Sequence, residues 1–181
     1  HGGVGGPQNN AGETIDDVAK AGCLCHNGAA DNTVQIILDD VPFGWIAGES
    51  YELKLQIIGG PPATGVYTDG FAMRTTAGVL SGDGLQNWEG DVTSLTHTEA
   101  TAAEVDRMWT LTWQAPETGF GSVDFWITGN AVNGDQLNNG GNQEDKWNQL
   151  LFSLQEGSDD TSALGTRTLF AGDGNVSPPE P

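Results

Sequence analysis

The sequence predicts an all-β protein, a single antiparallel sandwich of two sheets. Short runs rich in Val, Ile, Thr and Trp recur along the chain, each bounded by Gly, Pro, Asn or Asp. The chain contains 27 glycines, and it has no long apolar repeat with the 3.6-residue period of a helix. Its 181 residues are enough for one domain with a sizeable core. These observations favour a sandwich over a parallel sheet with crossover helices.

The candidate strands follow one another along the chain at the intervals typical of a β-sandwich. In chain order they are "NTVQIILDD", "SYELKLQII", "DGFAMRTT", "DVTSLTHT", "RMWTLTWQAP", "GSVDFWITGN" and "NQLLFSLQ", and "AGETIDDVAKAG" is a candidate short helix. Alternation within two of these runs predicts core faces. The predicted core residues are Trp109, Leu111 and Trp113 in one run and Val123, Phe125 and Ile127 in another.

Three regions differ in composition. Residues 1–30 form a Gly-rich lead, residues 31–155 contain the predicted sandwich, and residues 156–181 form an acidic tail that ends in prolines. The tail has the composition of a linker to an anchor. Because the first residue is His1 rather than Met, the sequence predicts an exported product whose signal peptide has been removed.

Charge narrows the function classes. Asp and Glu number 25 against six Lys and Arg, which gives a formal net charge of −19. Such a chain repels nucleic acid phosphates and anionic lipid, and it favours a basic partner or a cation. No run of about 18 apolar residues is present, so the sequence predicts no membrane span.

Both cysteines lie beside one of the three histidines, in "CLCHNG". A disulfide between Cys23 and Cys25 would close a strained ring and leave His26 without a role. A Zn²⁺ site would need a distant fourth ligand, and zinc motifs keep two or more residues between cysteines. Two free core cysteines fit poorly with such polar neighbours.

Haem attachment is the fourth interpretation, and it uses all three residues at once. In Cys-x-x-Cys-His the two thiols form thioethers with the haem, and the histidine binds the iron. The string here is Cys-x-Cys-His, one residue shorter. This interpretation predicts a covalent haem c on Cys23 and Cys25 with His26 as an iron ligand.

Further motifs lie on both sides of this cluster. They are "GGVGGP", "AGESYELKLQI", "GFAMRTTAGVL", "LTHT" and "WTLTWQAPETGFGSVDFWITGNAVNGD", within residues 1–135. With "CLCHNG", they resemble the secreted β-sandwich domains related to the reeler domain, in particular the prokaryotic choice-of-anchor type with a Gly-rich lead and a Cys-x-x-Cys-His. The resemblance implies a reeler-like sandwich that acts at the cell surface, often tethered through its C-terminus. It also draws attention to His97, which matches a histidine of such domains.

A six-coordinate haem needs a second axial ligand, and the side-chain candidates are His1, His97, Met73 and Met108. Both methionines are predicted to lie in the core or at its edge, so His97 is the predicted ligand. An iron held by two histidines has no open position for oxygen chemistry. The predicted function is therefore extracellular electron transfer rather than catalysis, with a redox protein or a neighbouring haem subunit as partner.

Two alternatives come from other classes. "HGGVGGP" resembles the start of copper-dependent polysaccharide monooxygenases, in which the amino group and imidazole of residue 1 hold copper together with a second histidine. His1 would hold the copper here, with His97 or His26 as the second ligand, since nitrogen ligands suit Cu(II).

The other alternative is a haem-free, calcium-stabilised module for adhesion or carbohydrate binding. The segment "GNAVNGDQLNNGGNQED" is crowded with oxygen ligands, but it lacks the fixed spacing of a known calcium motif, and its Gly/Asn-rich composition favours a hairpin connection. These residues are Asn130, Asn133, Asp135, Asn138, Asn139, Glu144 and Asp145. If exposed, Trp88 or Trp147 could form a platform for a sugar ring.

Overall fold

The computed structural model describes residues 14–21, 29–62, 68–98, 108–133, 145–158 and 165–172. Strands dominate the described residues, as their β-branched and aromatic composition predicts. The elements are α1 (Ile15–Ala21), β1 (Val34–Pro42), β2 (Ser50–Gly59), β3 (Asp69–Thr75), β4 (Val79–Ser81), β5 (Leu85–Gln86), a single 3₁₀ turn (Trp88–Gly90), β6 (Ser94–His97), β7 (Met108–Gln114), β8 (Ser122–Ala131), β9 (Lys146–Gln155) and β10 (Thr166–Ala171).

The strands form two five-stranded sheets, which confirms the predicted fold class. The first sheet has the order β10-β1-β2-β7-β4, and the second has the order β5-β6-β3-β8-β9. All neighbouring strands within the sheets are antiparallel. β10 and β9 are the edge strands on one side of the sandwich, and the short strands β4 and β5 are the edges on the other.

The core lies between the two sheets. Alternate residues of each long strand point inward, as the pleat of a strand requires. Every predicted core residue of β7 and β8 is buried, namely Trp109, Leu111, Trp113, Val123, Phe125 and Ile127. Met73 is also buried, but the prediction for Met108 is wrong, because Met108 lies on the outer face and is 47% exposed.

The predicted helix is confirmed as α1, which packs on the outer face of the second sheet. The amide of Asp17 donates to Thr14 Oγ1 at 3.2 Å, and the amide of Thr14 donates back to Asp17 Oδ2 at 2.8 Å, a reciprocal cap of the helix start. Ile15 and Ala19 are buried in a small cluster with Trp88. No helix among the described residues is long and apolar enough to cross a membrane.

Three strands were not predicted from the sequence, although the edge strand β9 was. β4 and β5 are only three and two residues long. β10 lies within the predicted tail and pairs with β1 through Ile37 and Phe170.

Because neighbouring strands are antiparallel, their connections alternate between two ends of the sandwich. We define the His97 end by the start of β3, the ends of β6 and β8, and the starts of β7 and β9. The two sheets approach closely there, since a Cβ on Gly60 (φ +75°) would lie 2.5 Å from the Ala131 Cβ. We define the Trp45 end by residues 43–49, 76–78, 115–121 and 156–158.

Candidate functional site

His97 is the last residue of β6, and its side chain contacts the backbone of the neighbouring strand β3. Its Nδ1 lies 3.0 Å from Phe71 N and 3.1 Å from Phe71 O, and Thr96 Oγ1 donates to Phe71 O at 2.6 Å. Two side chains of β6 therefore bind both backbone groups of Phe71. The imidazole also fills the space beside Gly70, where a Cβ would lie 2.5 Å from His97 Cε1. A glycine is needed at that position because of the ring.

The surroundings keep this imidazole neutral. Burial lowers the pKa of His97 from 6.5 to about 4. The hydrogen bond with the Phe71 backbone acts in the opposite direction and raises the pKa, but burial is the larger effect. His97 is thus a polar but uncharged group near pH 7.

Several polar side chains around His97 are also buried. The ladder pairs Asp69 with Ala131, and Ala131 with Lys146, so these three strand ends lie side by side. The amide of Asn133 donates to Asp145 Oδ1 at 3.1 Å across the base of the β8–β9 connection. The polar side chains at this end that are more than nine-tenths buried include Thr68, Asp69, Thr96, Asn133, Asp145 and Asn148.

Three buried polar atoms at this end have no hydrogen-bond partner in the described part of the chain. They are Thr68 Oγ1, Asn130 Oδ1 and the indole Nε1 of Trp109. Thr68 and Asn130 belong to the adjacent strand ends of β3 and β8. Trp109 lies in the core on β7 of the first sheet, with its ring 5.1 Å from that of Phe71. Asn130 alternates with the inward residues of β8, so its side chain lies on the outer face of the second sheet. An unpaired buried polar atom costs about 1–3 kcal/mol, so three in one region call for an explanation.

An ion pair borders the same end. Lys146 Nζ lies 3.0 Å from Asp31 Oδ2, and the hydroxyl and amide of Thr33 donate to Asp31 Oδ1 at 2.6 and 2.9 Å. Hydrogen bonds from Thr33, with a contribution from Lys146, lower the pKa of Asp31 to about 2. Asp31 is therefore ionised and fully engaged near pH 7.

The unpaired atoms together offer hydrogen-bond donors and acceptors without net charge. An indole N–H only donates, an amide oxygen only accepts, and a threonine hydroxyl does both. A hydroxyl group of a ligand both donates and accepts, so it can satisfy either kind of atom. Neither Thr68 nor Trp109 was predicted as a site residue, because no motif surrounds Thr68 and the alternation around Trp109 predicts only a core position.

The structure brings together only some of the residues predicted for a site. His97, Asn130, Asn133 and Asp145 lie at one end of the sandwich. Trp88 and Trp147 are 2% and 6% exposed, so neither forms the platform for a sugar that the sequence suggested. The remaining residues lie outside the described ranges, and their roles stay predictions: His1, Cys23, Cys25, His26, Asp135, Asn138, Asn139 and Glu144.

Comparison with known proteins gives only distant similarity of fold. No family model matches the sequence, and no curated protein matches it. The chain is similar to the Reelin-N domain of F-spondin, with 16% identity and a TM-score of 0.49, over 81% of this chain and all of that one. It is also similar to two structures of the human F-spondin reeler domain. They have 16% and 17% identity and TM-scores of 0.46 and 0.43, and each covers 71% of this chain and 91% or 95% of the other.

The predicted function as a haem electron-transfer module is wrong. Phe71 binds Nδ1 of His97, the predicted second iron ligand, and the other ring nitrogen, Nε2, is packed against Gly70, where a Cβ would lie 2.8 Å away. Within the described ranges, no three His, Cys, Asp or Glu side chains come together as a metal site. The predicted redox partner has no support either.

Proposed function

We propose that this protein is an extracellular binding module that holds a neutral, hydroxyl-rich ligand, such as a carbohydrate, at the His97 end. The observation that carries the proposal is the pair of unpaired buried atoms at the neighbouring ends of β3 and β8, Thr68 Oγ1 and Asn130 Oδ1. Folded proteins pair nearly all buried polar atoms, and exceptions concentrate where a ligand or an ordered water completes the pairing. The sandwich architecture, which many cell-surface domains share, is compatible with this role.

Charge selects the ligand class. A net charge of −19 disfavours anionic polysaccharides, because a like-charged polymer is repelled before it makes contact. The unpaired atoms carry no formal charge, and burial keeps His97 neutral by lowering its pKa. A neutral polyol gives each of these atoms a partner and brings no new charge into a region where water is scarce.

The test uses the full chain and an array of neutral, cationic and anionic oligosaccharides. We expect binding to neutral members, and we then expect Thr68→Val to weaken the strongest of these interactions about tenfold, as the loss of one hydrogen bond from a desolvated site implies. Valine has nearly the shape of threonine, so the substitution removes the hydroxyl and little else.

Thr75→Val is the matched control. Thr75 is equally buried, but it lies at the opposite end of β3, and its hydroxyl donates to Ala77 O at 3.0 Å. This variant should leave the oligosaccharide affinity unchanged. The proposal fails if the array shows no neutral ligand, or if Thr68→Val and Thr75→Val bind equally well.

A further inference from the structure

The edge strands of the sandwich are not equally protected. An edge strand exposes unpaired backbone groups that can pair with another extended chain, and proteins usually cover such edges. On one side, β4 has three residues, and Leu80 N donates to Val92 O at 2.7 Å while Asn87 Nδ2 donates to Leu80 O at 2.9 Å. That edge is short and already occupied.

On the other side, the edge of β9 is occupied at three points. Trp147 O accepts from the amide of Asp31 at 2.8 Å, and Gln155 O accepts from the amide of Trp45 at 2.9 Å. Between them, the amide of Gln149 donates to Asn148 Oδ1 at 2.8 Å. An added strand would have to break these bonds to pair along the full length of β9.

β10 differs from both. Among the described residues, no backbone group of Thr166–Ala171 has a hydrogen bond other than those of its ladder with β1. The strand has six residues and contains no proline and no lysine, and its one charged residue is Arg167, near its start.

The phase of the hydrogen bonds shows which groups of β10 face outward. Ala115 N donates to Glu49 O at 2.8 Å, so odd-numbered residues of β2 bond with β7 and even-numbered ones with β1. The β1–β2 register then assigns the odd-numbered residues of β1 to β2 and the even-numbered ones to β10. Ile36 therefore bonds with Ala171, and Leu38 with Leu169. The alternation leaves the amides and carbonyls of Thr168 and Phe170 on the free edge.

Side chains beside this edge define the partner. Phe170 is 36% exposed on the outer face and lies opposite Ile37, which offers an apolar contact to an added strand. Asp39 and Asp40 of the neighbouring strand β1 are balanced locally by Lys54, whose Nζ lies 2.8 Å from Asp40 Oδ2, and by Arg167. The charge that a partner meets at longer range is the net charge of the whole chain, −19. A second copy of this chain would carry the same charge and be repelled, whereas a basic segment would be attracted.

We propose that β10 is a strand-addition site for an extended, basic segment of a partner polypeptide in which Lys or Arg alternates with apolar residues. The backbone groups of Thr168 and Phe170 supply hydrogen bonds, and Phe170 with Ile37 supplies a contact for an apolar side chain. This site is separate from the ligand site at the His97 end, and it does not depend on that proposal.

The probe is a labelled, capped hexapeptide of alternating lysine and valine, titrated into the full chain with fluorescence anisotropy as readout. We expect saturable binding that weakens as salt is added. We also expect no binding of the glutamate–valine counterpart, nor of a lysine–valine peptide with methylated backbone nitrogens. Binding of the methylated peptide would show that attraction is purely electrostatic, and it would overturn the proposal.

Two substitutions at one position test the backbone contribution. Phe170→Ala removes the ring and keeps the amide, whereas Phe170→Pro also removes the outward amide donor, which an edge strand tolerates. We expect Phe170→Pro to bind the peptide about tenfold more weakly than Phe170→Ala, as the loss of a main-chain hydrogen bond and a steric block imply. Equal affinities of the two variants would overturn the assignment to β10.

Ser153→Pro provides a matched proline control. It lies on the edge of β9 with an outward amide, and it should leave peptide affinity unchanged. Sedimentation at low and high salt tests the alternative that β10 binds a second copy of this chain. If the chain dimerises as salt screens its charge, and Phe170→Pro abolishes the dimer, β10 binds a second copy and the proposal of a basic partner is wrong.

Discussion

The two ends of the sandwich differ in whether their buried polar groups have hydrogen-bond partners. At the Trp45 end, Trp45 Nε1 donates to Leu154 O at 3.2 Å, and Trp113 Nε1 donates to Ala77 O at 3.1 Å. At the His97 end, the equally buried indole of Trp109 has no partner in the described part of the chain. The same residue type is thus satisfied at one end and left unpaired at the other.

Backbone groups show the same contrast. Trp45 N donates to Gln155 O at 2.9 Å, and Gly157 N donates to Trp45 O at 2.7 Å, so the β1–β2 connection is tied to the end of β9. One exception to this contrast is Arg167 Nε, which has no hydrogen-bond partner in the described residues near the Trp45 end, although its guanidinium lies over the Phe43 ring. Asp16 Oδ1 accepts no hydrogen bond either, but it forms an ion pair with Arg74 Nε at 3.1 Å and lies at neither end. We infer that one end is built for stability and that the other keeps polar groups available at a cost in stability.

The substitution of Trp45 should have the largest effect on the free energy of unfolding. Its side chain is completely buried, and its ring meets that of Trp113 edge-on at 6.3 Å. Trp45→Ala should lower the free energy of unfolding by about 3–5 kcal/mol, because it leaves a cavity and removes the hydrogen bond from the indole to Leu154 O. Denaturant unfolding followed by circular dichroism measures this change. Trp45→Phe should recover a large part of the loss, and a cost below about 1 kcal/mol for Trp45→Ala would refute the proposed role of this end.

The pH dependence of the free energy of unfolding should test the His97 end separately. The folded pKa of His97, about 4, is below the unfolded value of 6.5, so the unfolded chain binds the additional proton between these two values. Stability from this group is complete above about pH 6.5 and declines by about 3 kcal/mol as the pH falls to 4. The lowered pKa of Asp31 acts only below its ordinary value of 3.8.

His97→Gln provides the control for the acid experiment. Glutamine does not titrate, so the unfolding free energy of this variant should lose most of its slope between pH 6.5 and 4. An unchanged slope would mean that other groups dominate this window and that His97 titrates normally.

The sequence predicted the long strands because their alternation is local. "WTLTW" and "VDFWI" carry the period of a half-buried strand, and both lie where predicted, in β7 and β8. β10 was missed because "TRTLFA" follows an acidic, Gly-rich stretch and has only one clear neighbour in the fold, β1. Its pairing depends on contacts that are distant in sequence.

The site was harder to predict for the same reason. His97 was identified, but the role assigned to it was wrong, since a histidine that binds the backbone of Phe71 looks in sequence like a metal ligand. Thr68 and Trp109 became interesting only when the fold showed that their polar atoms are buried and unpaired. A pattern of residue types cannot show whether a buried atom has a partner.

A pair of isosteric substitutions should change stability in opposite directions at the two ends. Thr68→Val removes a buried hydroxyl without a partner, and it should raise the free energy of unfolding by about 1 kcal/mol. Thr75→Val removes a hydroxyl that donates to Ala77 O, and it should lower that free energy by about the same amount. Thermal and denaturant unfolding of both variants decide the comparison. If both are destabilised equally, Thr68 Oγ1 has a partner, and the contrast between the ends is weaker than proposed.

The smallest effect should be local and confined to the Trp45 end. The carboxylate of Glu156 accepts from Thr118 Oγ1 at 2.7 Å, and its two oxygens also accept from the amides of Gly119 and Gly121 at 2.9–3.2 Å. These hydrogen bonds lower the pKa of Glu156. Their contribution to stability is therefore complete above the ordinary pKa of 4.5, and it is lost as the pH falls through the lower pKa of the folded state.

Glu156→Gln keeps one acceptor oxygen and replaces the other with a donor that opposes an amide N–H. Because the carboxylate is exposed to water, the global unfolding transition should barely move. The amides of Gly119 and Gly121 should nevertheless exchange with solvent faster, since their partner is weakened and the loop opens locally. Glu117→Gln, an exposed substitution in the same loop, should leave both exchange rates unchanged. If Glu156→Gln also left them unchanged, the β7–β8 loop would be held by its glycine conformations alone, with φ of +90° at Gly119 and +79° at Gly121, and the order of this end would not depend on paired polar groups.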